Sequence, residues 1–253
     1  MATLSVLLLH GFTGSSASWG DLIVDGLASA MGPPVLVDLP GHGRHAGETD
    51  PARFTWEAVE SELLALTEAE PVDLVGYSMG GRVALAFAVR HPLRVRRLVL
   101  ESSSPGLATE EERAARREDD GVLAEWIVEH GIEAFIGRWE RLPLFESQKA
   151  LPARVLEAQR TRRLMNHPGS LAASLRGLGT GSLPSLWGSL ADLRVPVLLM
   201  AGVHDTKFVE IAERMALVLP TARLVVADGA GHAVHLERPV TWVELVTHFL
   251  REG

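Results

Sequence analysis

A serine hydroxyl is a weak base and a weak nucleophile at neutral pH. It gains either role when an imidazole takes its proton and a carboxylate orients that imidazole. Ser78, Asp205 and His232 have the residue types and the chain order for such a relay. Ser78 stands in Gly76-Tyr77-Ser78-Met79-Gly80. An apolar run, residues 72–75, leads into it, and Val83, Ala84, Phe87 and Ala88 follow at helical spacing. Strand, tight turn and helix in that order make a nucleophile elbow, which lifts the hydroxyl clear of the backbone. Gly76 and Gly80 fit because a side chain there would collide with the crossing strand and helix.

Asp205 follows one later apolar run, and His232 follows the next, inside Gly229-Ala230-Gly231-His232. The order Ser, Asp, His is the one expected of this elbow. His235 and Asp228 are the competitors. His235 lies beyond the loop, where packing on the last helix accounts for it. Asp228 is near His232 along the chain but not behind its ring. At the other end of the chain, residues 4–9 run into His10-Gly11-Phe12-Thr13-Gly14. The backbone N–H groups of Phe12 and Met79 can form a pair facing a developing oxyanion. His10 and His42 read as packing residues of their loops.

These residues need a scaffold that brings distant loops to one place. Apolar runs at 4–9, 35–39, 72–75 and 95–100 alternate with amphipathic segments, and the rhythm resumes at 195–202 and 222–226. That pattern predicts an α/β fold, a parallel sheet of about six strands flanked by helices. Right-handed crossovers then put every strand's C-terminal end, and each loop named above, on one edge. Between 107 and 187 the patterns are helical, with no convincing strand. Residues 1–106 and 188–253 therefore read as the core, and 107–187 as an inserted helical lid.

Composition narrows the function. A net charge of −8 over 253 residues argues against a nucleic-acid surface. The absence of cysteine excludes disulfides and thiolate metal sites. No apolar run reaches membrane-spanning length, and the start reads as a strand, not a signal peptide. The expected location is the cytoplasm, with no membrane association. No metal-ligand spacing and no dinucleotide fingerprint occur, so neither a metal nor a cofactor is expected. Oligomeric state is open, with a monomer as the default.

His10-Gly11, Pro40-Gly41-His42-Gly43, Gly76 to Gly81, Asp205 and Gly231-His232 together resemble the α/β-hydrolase-fold superfamily. The usual N-terminal antiparallel strand pair is missing, so the sheet should be smaller and wholly parallel. Dispersed segments resemble, within it, the 2-succinyl-6-hydroxy-2,4-cyclohexadiene-1-carboxylate synthase family of menaquinone biosynthesis. They are Gly80-Gly81-Arg82, 101–107, 166–172, 177–187, 205–208 and 230–237.

That resemblance implies a lyase. The triad acts as a base on 2-succinyl-5-enolpyruvyl-6-hydroxy-3-cyclohexene-1-carboxylate, and pyruvate leaves. It also implies that Arg82, Arg116 and Arg163 bind the small-molecule polycarboxylate, with Tyr77 and Trp139 in the pocket. Guanidinium groups suit carboxylates, which they hold through paired hydrogen bonds. The residues alone leave alternatives. Arg116 lies in a segment of i,i+4 charge pairs that reads as a solvated face. Arg160 or Arg162 could stand in for Arg163, and Trp139 could be lid core. A serine carboxylesterase or carbon–carbon bond hydrolase, working through an acyl-enzyme, is the alternative activity.

Overall fold

The computed structural model describes residues 5–252. Six strands form one sheet: β1 (Val6–Leu9), β2 (Val35–Val37), β3 (Val72–Tyr77), β4 (Val95–Glu101), β5 (Val197–Gly202) and β6 (Ala222–Ala227). Their order is β2-β1-β3-β4-β5-β6, and every pairing is parallel. Leu4, expected to open the first strand, lies outside the described residues. The second strand is shorter than expected, because Asp38 and Leu39 have already left the ladder.

Parallel strands buried on both faces send alternate side chains into two layers. Leu7, Leu9, Leu74, Leu98 and Leu100 pack against α2 (Trp56–Leu66), α3 (Met79–Arg90) and α7 (Thr206–Ala216). Val6, Leu8, Val75 and Val99 pack the other way, on α1 (Gly20–Met31) and α9 (Pro239–Arg251). Leu22 of α1 takes no part in this packing and is exposed. Its neighbours Ile23 and Leu27 carry that contact instead.

Between β4 and β5 the chain leaves the sheet for α4 (Glu110–Trp139), α5 (Ala153–Leu164) and α6 (Pro168–Leu178). Thr109 and Glu112 close a capping box at the start of α4. Gly131, at φ 80°, kinks that helix. Ala124, Ile127, Phe135, Leu171 and Leu175 form a separate small core between α4 and α6, and Phe12 and Trp139 pack on it. The inserted helices therefore rest on the loop after β1, next to the end of the sheet that carries Ser78.

Candidate active site

Ser78 connects β3 to α3 with φ 51° and ψ −109°. A non-glycine residue held there is strained, and such strain gathers at functional sites. The elbow closes because its glycines admit no side chain. A Cβ on Gly80 would lie 2.2 Å from the Leu9 carbonyl oxygen, and one on Gly76 2.5 Å from that of Gly80. The parallel sheet then sets the partners. Asp205 follows β5, and His232 follows β6 just before α8 (Val234–Glu237). His232 Nε2 lies 3.0 Å from Ser78 Oγ, and His232 Nδ1 lies 2.6 Å from Asp205 Oδ2. His232 and Asp205 are both buried. This is a complete hydroxyl–imidazole–carboxylate relay, assembled from three loops on one sheet edge.

Glu237 holds the backbone on either side of His232. Its carboxylate accepts the N–H groups of Gly231 at 2.8 Å and Ala233 at 3.3 Å, the two neighbours of His232. His235 is turned away. It pairs with Glu101 at 2.8 Å, and its ring meets the edge of Tyr77 at 4.6 Å. Asp228 is exposed. Neither competitor contacts the serine.

The N–H groups of Phe12 and Met79 donate to no acceptor among the described residues. Two histidines hold the loop that carries Phe12. His10 Nε2 accepts the Leu39 N–H at 3.1 Å, and His42 Nε2 accepts the Thr13 N–H at 3.3 Å. Their Nδ1 atoms lie 2.8 Å and 3.0 Å from the carbonyls of Gly11 and Pro40. Each ring therefore needs its neutral form, donating at Nδ1 and accepting at Nε2. Burial pushes His10 below the usual imidazole range. Burial and then the charge of His10 push His42 down to about 3.

A cavity of about 1060 Å³ opens over Ser78, lined by Phe12, Tyr77, Met79, Trp139 and Phe145 and by several cations. Arg82 and Arg116 both reach it. Arg82 Nη2 donates to the Leu178 carbonyl at 3.2 Å, while its buried Nε has no partner among the described residues. Burial and then the charge of Arg116 pull its pKa down to about 10, so it stays cationic at neutral pH. Arg116 Nε donates to Asp120 Oδ1 at 2.8 Å. Asp120 is buried, and its other carboxylate oxygen is unpartnered among the described residues. Its role was not readable from the sequence, although an acid four residues after Arg116 was the available signal.

Arg163 stands elsewhere. Its Nη1 lies 3.4 Å from Glu140 Oε1, and its guanidinium packs over the Phe145 ring at 5.0 Å. It lines a small neighbouring cavity of about 40 Å³, with Tyr77 and His235, and not the cavity of Ser78. Arg163 thus stands outside the cavity over Ser78, with its guanidinium on α5 turned to the Glu140 carboxylate. Arg160 pairs with Glu140 as well, and Arg162 lines the small cavity.

A family model described as alpha/beta hydrolase family matches residues 6–245. A Bacillus subtilis protein provisionally named 2-succinyl-6-hydroxy-2,4-cyclohexadiene-1-carboxylate synthase is 40% identical, over 98% of this chain and 91% of its own length. The chain belongs to that synthase family of alpha/beta hydrolases. The synthase from Klebsiella pneumoniae is 32% identical over 97% of this chain and 93% of its own. Among solved structures, MenH from S. aureus matches with a TM-score of 0.90 at 33% identity, covering 99% of this chain and 94% of that one. A thermophilic esterase from Thermogutta terrifontis, with malate bound, matches at 0.84 and 29% identity, covering 98% and 89%. The six-stranded parallel sheet of this chain belongs to the fold that it shares with that S. aureus protein. No helix among the described residues is long and apolar enough to cross a membrane.

Proposed function

We propose that this protein is a carbon–oxygen lyase that eliminates pyruvate from 2-succinyl-5-enolpyruvyl-6-hydroxy-3-cyclohexene-1-carboxylate, forming 2-succinyl-6-hydroxy-2,4-cyclohexadiene-1-carboxylate for menaquinone biosynthesis. The observation that carries the reading is an assembled serine–histidine–aspartate relay under a cavity that holds the guanidinium groups of Arg82 and Arg116. Synthases of this name among the relatives supply the substrate.

The chemistry follows from the substrate's own bonds. The ring hydrogen beside the succinyl ketone is the acidic one, because its removal leaves an enolate. Ser78 Oγ, whose proton passes to His232, takes that hydrogen. Asp205 stabilises the imidazolium that forms. The N–H groups of Phe12 and Met79 face the enolate oxygen. Electrons then move through the ring double bond and break the carbon–oxygen bond to the enolpyruvyl group. The departing enolate takes up a proton and becomes pyruvate. No acyl-enzyme forms, and no metal or cofactor takes part.

Arg82 and Arg116 hold substrate carboxylates, with Tyr77 and Trp139 as walls. Residues 107–187 act as a lid, and Arg163 joins only after the lid shifts on a polyanion. The reaction is proposed to run in the cytoplasm, in a monomer, without nucleic-acid or membrane partners. A second reading is a carboxylesterase, which the esterase neighbour favours, since the same relay could form an acyl-enzyme. The test is pyruvate release from the enolpyruvyl substrate beside hydrolysis of a nitrophenyl ester. Release of pyruvate with no substrate-derived mass on Ser78 supports the lyase. Ester turnover with an adduct on Ser78 and no pyruvate overturns it.

A further inference from the structure

We propose that α7 carries a second anion subsite, formed by Lys207 and Arg214, for a carboxylate that Arg82 and Arg116 do not hold. The ligand class, a polycarboxylate, rests on the functional reading above. The site itself rests on the cavity wall.

Lys207, Ile211 and Arg214 all line the cavity over Ser78. They recur at i, i+4 and i+7, so they share one stripe of α7, with the Cα atoms of the two cationic residues about 10 Å apart along the axis, a span that their long side chains can close. Arg214 is oriented before any ligand arrives. Its guanidinium lies 4.5 Å from the Trp187 ring centroid, and Trp187 Nε1 donates to the Gly106 carbonyl at 3.1 Å. A cation laid flat on a fixed ring keeps its N–H edges for a planar acceptor at little entropic cost.

Neither cation has an acidic partner among the described residues. Several cations of the inserted segment do have one: Arg113 and Arg117 pair with Glu110, Arg116 with Asp120, and Lys149 with Glu146. The chain carries a net charge of −8, so leaving two cavity-facing cations unpaired is notable electrostatics. Arg82, on α3, bonds the Leu178 carbonyl, and the Asp120 carboxylate that holds Arg116 lies against the next residue, Gly179, so the two guanidinium groups form one cationic centre. Lys207 and Arg214 form another on a different helix. The carboxylates of the substrate sit on separate substituents of a six-membered ring and cannot all converge on one centre. Two centres suit such a molecule.

The experiment compares wild type with Lys207→Gln, Arg214→Gln and the double variant. Two readouts are taken, KM and kcat for pyruvate release, and the Kd of citrate as a tricarboxylate probe by calorimetry. Both side chains are exposed, so thermal melting should not move, and the single variants carry the reading if the double variant folds poorly. The expected result is a KM and a citrate Kd raised about tenfold in the double variant, with kcat within about threefold of wild type. Arg214→Lys should recover part of the loss. Unchanged KM and citrate affinity in a wild type that releases pyruvate would overturn the subsite and leave the lyase standing. A wild type that releases no pyruvate overturns the lyase, and the citrate comparison still decides the subsite.

Discussion

Arg116 is held from behind by Asp120: its Nε donates to the buried carboxylate at 2.8 Å, which leaves its terminal nitrogens for the cavity. Burial raises the pKa of Asp120, and Arg116 opposes that rise. The carboxylate also counters the repulsion between Arg116 and Arg82. Asp120→Asn keeps the shape and removes the charge. The amide oxygen can still accept from Arg116 Nε but without the ionic attraction, and weakening the hold by about 1 to 1.5 kcal/mol should raise KM for the enolpyruvyl substrate by about five- to tenfold, with a smaller change in kcat. Steady-state pyruvate release checks this, and an unchanged KM would remove Asp120 from any positioning role.

Ser78→Ala should abolish elimination, with a loss of at least about 100-fold in kcat, because the relay loses the group that meets the ring hydrogen. The variant should still bind the substrate and melt like wild type. Binding by calorimetry and a thermal scan separate these effects. Retention of full turnover would mean that His232 or water takes the hydrogen directly.

Gly11 and Gly80 should fail differently when given a methyl group. A Cβ on Gly80 meets backbone, the Leu9 carbonyl at 2.2 Å, so Gly80→Ala must push the elbow off the sheet. The expected result is loss of folding or destabilisation by about 3 kcal/mol or more. A Cβ on Gly11 meets the Tyr77 ring at 2.6 Å and Ser78 Cβ at 3.4 Å. Gly11→Ala should therefore stay folded and lose turnover, as the ring beside the nucleophile moves. Chemical denaturation and kcat measured on the same samples decide between the two behaviours.

Acid should loosen the loop that carries Phe12. His42 is buried neutral, with its pKa pushed down to about 3 from an ordinary value of 6.5. The unfolded chain binds that proton first, so the folded state loses stability as pH falls below 6.5 towards 3. One such group costs about 1.4 kcal/mol per pH unit across that window. Urea melts between pH 7 and pH 4 should show the slope, and His42→Asn should flatten it. An identical slope in the variant would assign the acid lability to other groups.

Asp73 has the opposite sign. It is fully buried in β3 and paired with Arg96, yet burial pushes its carboxyl up to about 6. The folded state holds this proton more tightly than the unfolded chain does. Its contribution therefore weakens as pH rises from about 4 to 6, by up to about 3 kcal/mol. Asp73→Asn should lack that loss when stability is measured against wild type at pH 4 and pH 7.

The amino-acid sequence by itself determined the sheet and the loops on which Ser78, Asp205 and His232 stand. Six apolar runs split by amphipathic segments allow little besides a parallel sheet. Parallel strands with right-handed crossovers deliver the loops holding Phe12, Ser78, Asp205 and His232 to one edge. Chain order and loop position single out Asp205 and His232, and these two, rather than Asp228 and His235, make the chain of contacts to Ser78. The tertiary structure alone decided which way the helices face. The charge pattern of 110–120 cannot say that Arg116 turns inward on Asp120. The run of arginines at 160–163 cannot say that Arg163 turns to Glu140. Nor can spacing on α7 say that the stripe of Lys207 and Arg214 meets the cavity. A strand inside a sheet has its loop placed by the ladder, whereas a helix's rotation about its axis is set by the side chains it packs on, and those come from distant parts of the chain.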